Sequence, residues 1–537
     1  MKGNARNRRI GGGILLALLA VHGAPAQMSD DAILDTVQHG AFNFFWQQAN
    51  ASNGLIKDRS APGAPCSIAS LGFGLSAICI GVDHGWVSRA AARDRVMTAL
   101  QTLWDGPQGI GDGYTGLFGL FYHFLDMTTA RRAWTSELST IDTGLLLAGI
   151  VDARQYFDGA DSSETALRAL ADSIYHRMNW AYMRNGNPGI MMGYMPGSGF
   201  QPYVQWVGYN EASIMYILAL GSPTYPVDSR GWQTWTSGYV WLNEYGYTYV
   251  IFPPLFGHQY TACWIDYRGI ADDYMRWVGS TYFANSRSAT LAQQAYCIAN
   301  QMGFAGYSDS LWGITASDVP ASLHGGNTYM ARGAPPDQDD DGTITPTAPI
   351  SSIAFAPEAV LPVIRNLWNN YRAQMWTPYG FRDAFNLSTK VPWYDTDIIG
   401  IDQGPEIIMI ENYRTGRVWK RFMKNPDVQR GLAAAGFLPV TGVAGVKAKP
   451  ASFTLGQNFP NPFNPATVIA YELPAPGWVR LTVCDVLGRE VATLVNGPQE
   501  SGPHRAAWNA AGCASGTYFY TLRSGAYIRT RTMLLVR

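Results

Sequence analysis

Two kinds of predicted helix alternate along most of the chain, and this alternation constrains the fold more than any other feature. Residues 67–82, 141–151 and 211–220 are apolar on nearly every side, which is typical of buried helices. Residues 88–104 and 163–180 place apolar side chains at i, i+3, i+4 and i+7 opposite a polar face, which is typical of helices with one side on a core. The alternation predicts two concentric layers of helices, with the apolar helices inside.

The pattern changes to a period of two after Phe453. The segments "VIAYEL", "VRLTVCDV", "GTYFYTL" and "YIRTRTMLLV" alternate between apolar and polar residues, and turns separate them. Short strands of this kind predict a β-sandwich of immunoglobulin type. Because 537 residues are too many for one ordinary core, we predict a helical domain over 27–436, a linker over 437–452 and a small all-β domain over 453–537.

The N-terminus has the pattern of a signal peptide. Basic residues precede the apolar run "IGGGILLALLAVHG", and "APA" at 24–26 provides a small-x-small cleavage site. The run is shorter than the ~20 residues that span a bilayer, so we expect export of a mature chain without a transmembrane segment. Loss of residues 1–26 removes four basic residues and changes the net charge from -1 to -5. Nucleic-acid binding is therefore not expected, since it favours basic surfaces.

Cysteine and acidic spacings argue against a metal site, and we expect no cofactor. None of the six cysteines lies in a CxxC pair, which disfavours zinc; Cys484 and Cys513 are the one pair proposed for a disulfide. Asp337, Asp339 and Asp341 have the first spacings of a calcium loop. The twelfth position, Ala348, lacks the bidentate Glu that an EF-hand requires, so a polar loop is the favoured interpretation.

Two carboxylates stand at the starts of apolar helices. Glu211 precedes residues 212–220, and Asp142 lies near the start of 141–151. Two concentric layers of helices would bring these starts together at one mouth, and cleavage of a sugar linkage typically uses two carboxylates. An alternative is structural, because an acid in the first turn of a helix complements its dipole. Nearby Trp206 and Tyr209 make desolvation of Glu211 plausible, which would raise its pKa.

At these residues the sequence closely resembles the glucoamylase-like proteins of glycoside hydrolase family 144. The resemblance covers about residues 30–432 and rests on many blocks in order: "NGLIKDRS", "SIASLGFGLSAICIGVDHGWVSRAAA", "GLFYHFLDM", "RRAWTSELSTIDTGLLLAG", "GYNEASIMYILALGSPT", "FGHQYTACWIDYRGI", "GITASDVP", "DDGTITPTAPISSIAFAPE" and "IDQGPEIIMIENYRTG". It implies an (α/α)6 toroid and activity on β-1,2-glucan, mostly endo-acting and inverting, with some members releasing sophorose from chain ends.

The resemblance also implies the roles of particular residues. Glu211 is the better candidate for the general acid, and Asp142 for the base or part of a base relay. Trp206, Tyr209 and Tyr394 are expected stacking platforms. Further residues expected along the substrate channel are Asp58, Arg59, His123, Asp126, Glu137, His258, Gln259, Asp402 and Arg414.

The C-terminal tail resembles the FlgD-like sorting domains of the type IX secretion system. The resemblance rests on "LGQNFPNPFNPATVIAYELP", "VCDVLGREVATLV" and "TRTMLLVR". It implies a secreted or cell-surface protein with the secretion machinery as partner. We therefore interpret the chain as a secreted β-1,2-glucanase. The alternatives are an exo-acting or other β-glucan hydrolase and a non-catalytic glycan-binding protein.

Overall fold

The computed structural model of the protein describes residue 1 and residues 28–326, 328–334, 339–440, 453–473, 477–500, 502–524 and 527–537. The predicted signal peptide beyond its first residue, most of the predicted linker, and Asp337 of the acidic loop lie outside the described residues. Within those ranges, every helix is either too short or too polar to cross a membrane.

Helices dominate the described chain up to residue 440. The α-helices are α1 (Asp30–Gln47), α2 (Ile68–Asp83), α3 (Arg89–Asp105), α4 (Thr140–Tyr156), α5 (Ser162–Arg177), α6 (Ser213–Gly221), α7 (Ser229–Ser237), α8 (Phe256–Gln259), α9 (Asp273–Trp277), α10 (Tyr282–Ala299), α11 (Thr347–Ile350), α12 (Pro357–Asn366), α13 (Arg372–Met375), α14 (Gly400–Arg414), α15 (Arg417–Phe422) and α16 (Pro426–Ala434). Short 3₁₀ turns lie at Tyr182–Arg184 and Thr261–Cys263, and a π-helical turn at Leu367–Tyr371 joins α12 to α13.

The predicted layering of this region appears in the burial of its helices. Most residues of α2, α4, α6 and α14 are buried, whereas α3 and α5 bury only one face. The buried helices contact one another in the order α14, α2, α4, α6. Glycines allow the closest approach, since a Cβ on Gly149 of α4 would collide with the Gly72 carbonyl of α2.

Serine or aspartate side chains cap the first five helices. Ser67 caps α2 and Ser139 caps α4, each accepting a hydrogen bond from a first-turn amide. Helix α6 is different: its N-cap residue is Ala212, which has no side chain that could accept such a bond. The helix start that follows Glu211 therefore has no cap from its own N-cap residue, and the Ile214 amide donates to Thr261 Oγ1 at 3.1 Å instead.

Short strands connect the helices, and long strands form the C-terminal region. The strands are β1 (Cys66–Ser67), β2 (Gly116–Leu117), β3 (Leu120–Phe121), β4 (Phe124–Leu125), β5 (Leu138–Ser139), β6 (Gly193–Tyr194), β7 (Trp241–Glu244), β8 (Tyr247–Val250), β9 (Ile270–Ala271), β10 (Ser317–Asp318), β11 (Tyr329–Met330), β12 (Thr343–Ile344), β13 (Trp376–Thr377), β14 (Gly380–Phe381), β15 (Phe385–Asn386), β16 (Trp393–Tyr394), β17 (Leu438–Pro439), β18 (Thr454–Leu455), β19 (Ala466–Leu473), β20 (Gly477–Cys484), β21 (Glu490–Gln499), β22 (Gly502–Asn509), β23 (Gly516–Ser524) and β24 (Tyr527–Leu535).

The C-terminal strands form two antiparallel sheets around one apolar core. One sheet has the order β18–β19–β22, and the other has the order β21–β20–β23–β24. Alternate residues of β20, such as Leu481 and Val483, point into the core, as the period of two predicts. The four predicted strand segments are present. Strands β18, β21 and β22 were not predicted; β21 lies at a sheet edge and none of its residues is fully buried.

One expectation from the sequence is wrong, and another stays a prediction. All six cysteines lie in the described part of the chain and are free thiols, so the proposed Cys484–Cys513 disulfide is not formed. The predicted boundaries between helical domain, linker and all-β domain stay predictions, because residues 441–452 lie outside the described ranges.

Candidate active site

A cavity of about 480 Å³ opens where the starts of α4 and α6 meet. Five residues predicted for the catalytic site or substrate channel lie on its wall: Asp58, Arg59, His123, Asp142 and Glu211. The complete lining is Asp58, Arg59, Ser67, His123, Phe124, Trp134, Ile141, Asp142, Leu145, Glu211, Phe256, Tyr260, Ala316, Thr328, Tyr329, Ile399 and Ile401. Polar groups therefore converge on a mostly apolar pocket, as in many ligand sites.

Asp142 is held by the cap of its own helix. The Ser139 hydroxyl donates to Asp142 Oδ2 at 2.5 Å and accepts from the Asp142 amide at 3.2 Å. Asp142 Oδ1 lies 3.6 Å from Nε2 of His123. Because α4 begins at Thr140, the carboxylate also lies at the positive end of the helix dipole. Asp142 is thus a buried carboxylate with a hydroxyl donor and a basic ring beside it.

His123 connects Asp142 to a second carboxylate. Its Nδ1 lies 3.0 Å from Oε1 of Glu137, on the strand side of the α4 cap. Burial lowers the pKa of His123, but the charges of Asp142, Glu137 and Asp58 outweigh it and raise the pKa to about 9. In return, His123 holds the pKa of Glu137 below its usual value despite the effect of burial. At neutral pH the imidazolium is therefore a cation shared by Asp142 and Glu137.

Glu211 has almost none of these partners. Its Oε2 is buried and accepts no hydrogen bond from any residue within the described ranges. Burial raises the pKa of Glu211 to about 7; its own backbone amide opposes this rise, and the Asp142 charge adds to it. The alternative interpretation of Glu211 as a first-turn acid does not fit, because α6 begins at Ser213 and its first turn contains no acidic residue. The carboxyl is placed to carry a proton near neutral pH.

Arg59 forms the corner of the cavity opposite these helices. Its guanidinium contacts Asp58 at 3.1 Å, Asp318 at 2.9 Å and Asp397 at 3.4 Å. Burial raises the pKa of Asp58, and the Arg59 charge opposes that rise. One arginine thus fixes three carboxylates and still lines the cavity.

Aromatic residues form much of the remaining wall, and the sequence interpretation missed several of them. Trp134 is 65% exposed and has a backbone φ of 55°, a left-handed conformation that costs energy for a bulky residue. Its ring lies 4.9 Å from that of Phe124, which stacks on His123 at 4.0 Å. An exposed tryptophan held in a strained conformation at a cavity edge can stack on a sugar face. The block "RRAWTSEL" contained it, but sequence alone does not show exposure.

The two aromatic residues before Glu211 are buried, which differs from their predicted role as stacking platforms. Trp206 donates from Nε1 to Thr140 Oγ1 at 3.0 Å and is 9% exposed. Tyr209 packs against His258 and Trp235, and burial raises its pKa to about 12. Their faces are covered by protein, so they shape the wall behind Glu211 and contact no open space.

His258 and Gln259 lie behind the cavity wall. His258 is 2% exposed and its Nε2 lies 3.2 Å from the Phe252 carbonyl oxygen; burial lowers the pKa of His258 to about 3. Gln259 donates to the Ala348 carbonyl at 2.6 Å. Both side chains satisfy buried groups of the scaffold, as lone polar residues in an apolar segment commonly do.

The remaining predicted channel residues lie away from the cavity lining. Asp126 accepts hydrogen bonds from the amides of a local turn, and Tyr394 stacks on Phe385 in a small sheet. Asp402 lies in the first turn of α14, behind the wall, whereas Arg414 ends that helix and pairs with Asp35. A helix of 15 residues is ~22 Å long, so Arg414 is far from the cavity.

Among the residues that the structure describes, two clusters of side chains offer donor atoms that could hold a metal ion. One cluster is His123, Glu137 and Asp142, where the donor atoms lie within 4.8 Å of one another. There the imidazolium lies beside both carboxylates and already supplies a positive charge. The other cluster is Asp318, Asp383 and Asp395, with the same spacing. Its ligands were not predicted, because they are scattered over almost eighty residues of sequence.

Comparisons with known proteins agree with a helical carbohydrate-active domain. The family model "Glycoamylase: Putative glucoamylase" matches residues 203–426. A solved "putative glucoamylase" from Bacteroides uniformis is 32% identical, covers 77% of this chain and 98% of its own, and superposes with a TM-score of 0.71. An endo-beta-1,2-glucanase from Chitinophaga pinensis, solved with sophorotriose and glucose, is 29% identical and covers 76% of this chain and 99% of its own, with a TM-score of 0.70.

A curated relative broadens this comparison. An exo beta-1,2-glucooligosaccharide sophorohydrolase (non-reducing end) from Parabacteroides distasonis is 30% identical over 439 residues, which are 75% of this chain. The chain spans 58% of the length of that relative. These similarities show that the chain belongs to the glucoamylase-like family.

Proposed function

We propose that this protein is a glycoside hydrolase that cleaves β-1,2-glucan with Glu211 as general acid. The observation that carries the proposal is the Glu211 carboxyl, buried on the cavity wall without a hydrogen bond to Oε2 from any described residue, with its pKa raised to about 7. A general acid works best when its pKa lies near the operating pH. The endo-acting and exo-acting relatives named above support β-1,2-glucan as the substrate.

In the proposed reaction Glu211 donates its proton to the glycosidic oxygen as the bond to the anomeric carbon breaks. A water molecule attacks that carbon from the opposite face, and Asp142 accepts its proton directly or through a further group. The Ser139 hydroxyl, which donates to Asp142, and the His123 ring, whose Nε2 lies 3.6 Å from Asp142 Oδ1, fix its orientation for this task. The roles are asymmetric, since Glu211 starts protonated and Asp142 starts as the base.

The finer classification is part of the same proposal. We propose membership of glycoside hydrolase family 144, with the helical region closed into an (α/α)6 toroid. The series of buried helices α14, α2, α4 and α6 supports this ring. We propose endo action with inversion, and the open end of the cavity beside Trp134 suits a long chain that passes through the site.

Export and sorting are proposed from the two ends of the sequence. Residues 1–26 would be removed as a signal peptide, and the region from 453 would be recognised by type IX secretion machinery, giving a secreted or cell-surface enzyme. A reporter fused to residues 453–537 tests the second step in a bacterium with this secretion system. Release of the reporter is expected, and its retention in the periplasm would contradict the sorting role.

The activity is tested by incubating the full chain with linear β-1,2-glucan, laminarin and a soluble cellulose derivative. Mixed short oligomers from β-1,2-glucan alone are expected. A single disaccharide product would indicate the exo-acting alternative, and cleavage of another glucan would change the substrate. Binding to β-1,2-glucan in affinity electrophoresis without new reducing ends would indicate a glycan-binding protein instead. Products of the α-anomer at early times are expected, and β-anomers would contradict inversion.

A further inference from the structure

The three aspartates behind the Arg59 corner have no assigned role in the proposed reaction. Asp318 belongs to β10, Asp383 follows β14 and Asp395 follows β16. One carboxylate oxygen from each lies within 4.8 Å of the other two. All three residues are buried, with exposures of 4% for Asp383 and 8% for Asp395. Buried carboxylates so close together need protons, cations or hydrogen-bond donors.

Two of the three carboxylates, those of Asp383 and Asp395, accept a backbone hydrogen bond at one oxygen and none at the other. Asp383 Oδ2 accepts from the Asp318 amide at 2.7 Å, and Asp395 Oδ1 accepts from the Thr396 amide at 2.7 Å. The other oxygens, Asp383 Oδ1 and Asp395 Oδ2, are buried and receive no hydrogen bond from an N–H or hydroxyl donor of the described residues; other carboxyl groups lie beside them, Asp402 next to Asp383 and Asp318 next to Asp395. Outer partners that orient one oxygen while the other stays free are typical of metal ligands.

One arginine contacts a carboxylate of the cluster within the described residues. Arg59 donates to both oxygens of Asp318, but it is shared with Asp58 and Asp397. Arg382, which precedes Asp383, donates to the backbone carbonyl of Asp395 at 2.9 Å and not to a carboxylate. The cluster therefore has more carboxylate groups than the arginine that contacts it can pair with.

The backbone holds the three aspartates rigidly in place. The Asp383 amide donates to the Asp397 carbonyl at 3.0 Å, and the Asp395 amide donates to the Ala384 carbonyl at 2.9 Å. The strands β12, β15 and β16 pair in one sheet beside them. A rigid support of this kind allows ligand atoms to keep their geometry when no ion is bound.

We propose that Asp318, Asp383 and Asp395 form a binding site for a divalent calcium-like cation. Carboxylate oxygens are hard ligands, and Ca²⁺ accepts them in flexible geometry at ~2.3–2.6 Å. One oxygen from each aspartate lies close enough to the other two to contact one ion, whereas Mg²⁺ usually keeps several waters and is bound through one or two carboxylates. The site departs from the expectation of no metal that followed from the sequence. It goes beyond the proposed hydrolysis, since the cation would bind behind the cavity wall and would stabilise the corner that holds Arg59.

The test is a Ca²⁺ titration of the full chain by calorimetry after dialysis against EDTA, with melting temperature as a second readout. Binding of one Ca²⁺ and a rise in melting temperature are expected, because a ligand of the native state stabilises it. Weak calcium modules bind Ca²⁺ with a Kd of up to ~1 mM. Absence of both effects at Ca²⁺ concentrations up to ~10 times that value would overturn the proposal. Neither readout depends on glucan cleavage, so the outcome is independent of the proposed function.

Variants locate the site. Asp383→Asn and Asp395→Asn keep the shape of the side chain but remove charge, and each is expected to weaken Ca²⁺ binding at least ~10-fold. The control is Asp339→Asn, in the acidic loop whose spacing resembles a calcium loop. If the control loses Ca²⁺ binding while both other variants keep it, the proposal is wrong. Far-ultraviolet circular dichroism verifies that each variant folds. If Asp383→Asn does not fold, the comparison of Ca²⁺ binding between Asp395→Asn and the wild type tests the site.

Discussion

The starts of α4 and α6 share a sequence pattern, an acidic residue beside an apolar helix, but the two carboxylates have different surroundings. Each presents one carboxylate at the mouth of an apolar helix and on the wall of one cavity. At α4, Asp142 has a serine hydroxyl and an imidazolium beside it. At α6, the Oε2 of Glu211 has no donor among the described residues, and its pKa is raised to about 7.

Neighbouring groups, and not the position beside a helix start, account for the raised pKa of Glu211. Burial without a donor to Oε2 raises this pKa despite the nearby helix dipole, which favours the ionised form. At Asp142, by contrast, the Ser139 hydroxyl donates directly to the carboxylate. Two carboxyls separated in this way by their environments are suited to the roles of acid and base.

The largest expected effect comes from Glu211→Gln, which removes the proton donor and keeps the shape. We expect kcat on β-1,2-glucan to fall about 10²–10⁴-fold. The matched control is Glu358→Gln, which alters an exposed glutamate in the first turn of α12 that pairs with Arg287. Activity of Glu211→Gln equal to that of the control would remove Glu211 from the mechanism.

The same variant has a second, opposite effect on stability. The pKa of Glu211 is raised from 4.5 to about 7 in the folded state. The protonated carboxyl therefore contributes stability to the wild type below pH 4.5, and this contribution is lost as the pH rises through 7. Glutamine cannot ionise, so Glu211→Gln should be more stable than the wild type at pH 8 by on the order of 1 kcal/mol, and not at pH 4. Urea unfolding at both pH values measures this difference.

Asp142→Asn should lower kcat about 10²–10³-fold by removing the base. It should also lower the pKa of His123, because the Asp142 charge is the largest of the interactions that raise it. Proton NMR of the imidazole measures this change. Asp158→Asn, at an exposed carboxylate, is the control and should change neither value. An unchanged His123 pKa in Asp142→Asn would contradict the described pairing.

Ser139→Ala should lower kcat about tenfold, since it removes the hydroxyl that orients Asp142. It should also cost about 1 kcal/mol of unfolding free energy through loss of the helix cap. Ser88→Ala removes the equivalent cap of α3, so it should give the same loss of stability without loss of activity. Equal activity in the two variants would show that Ser139 is only a cap.

Trp134→Ala should give the smallest effect, a rise in KM of about fivefold with kcat nearly unchanged, through loss of one stacking contact. The control is Trp478→Ala, an exposed tryptophan of the C-terminal sheets. Steady-state kinetics on β-1,2-glucan separate KM from kcat. A fall in kcat alone would place Trp134 in the chemistry and not in substrate binding.

Sequence patterns predicted the helices and the placement of the two main carboxylates, because apolar periodicity reports burial directly. The preference of serine for N-cap positions explains the cap of α4 by Ser139. The period of two in β20 explains why the burial of its residues alternates. Patterns could not separate Trp134, which is exposed, from Trp206, which is buried. Exposure of a loop aromatic depends on contacts between distant segments.

Sequence patterns also fail to reveal a ligand site that is built from distant residues, as the acidic cluster behind Arg59 shows. Asp318, Asp383 and Asp395 lie far apart in sequence and have no fixed spacing. They meet only because β10, β14 and β16 bring three loops together. Conversely, the run around Asp337–Asp341 has a suggestive spacing and lacks its last ligand.

The pKa of Glu211 tests the central claim most directly. Isotope-edited infrared spectra of the ¹³C-labelled carboxyl groups, recorded from pH 4 to 9 as the difference between wild type and Glu211→Gln, isolate this one group. We predict a carboxylic-acid band that disappears with a midpoint of about 7. A midpoint near the ordinary value of 4.5 would show that Glu211 is ionised at neutral pH and would contradict its role as the general acid.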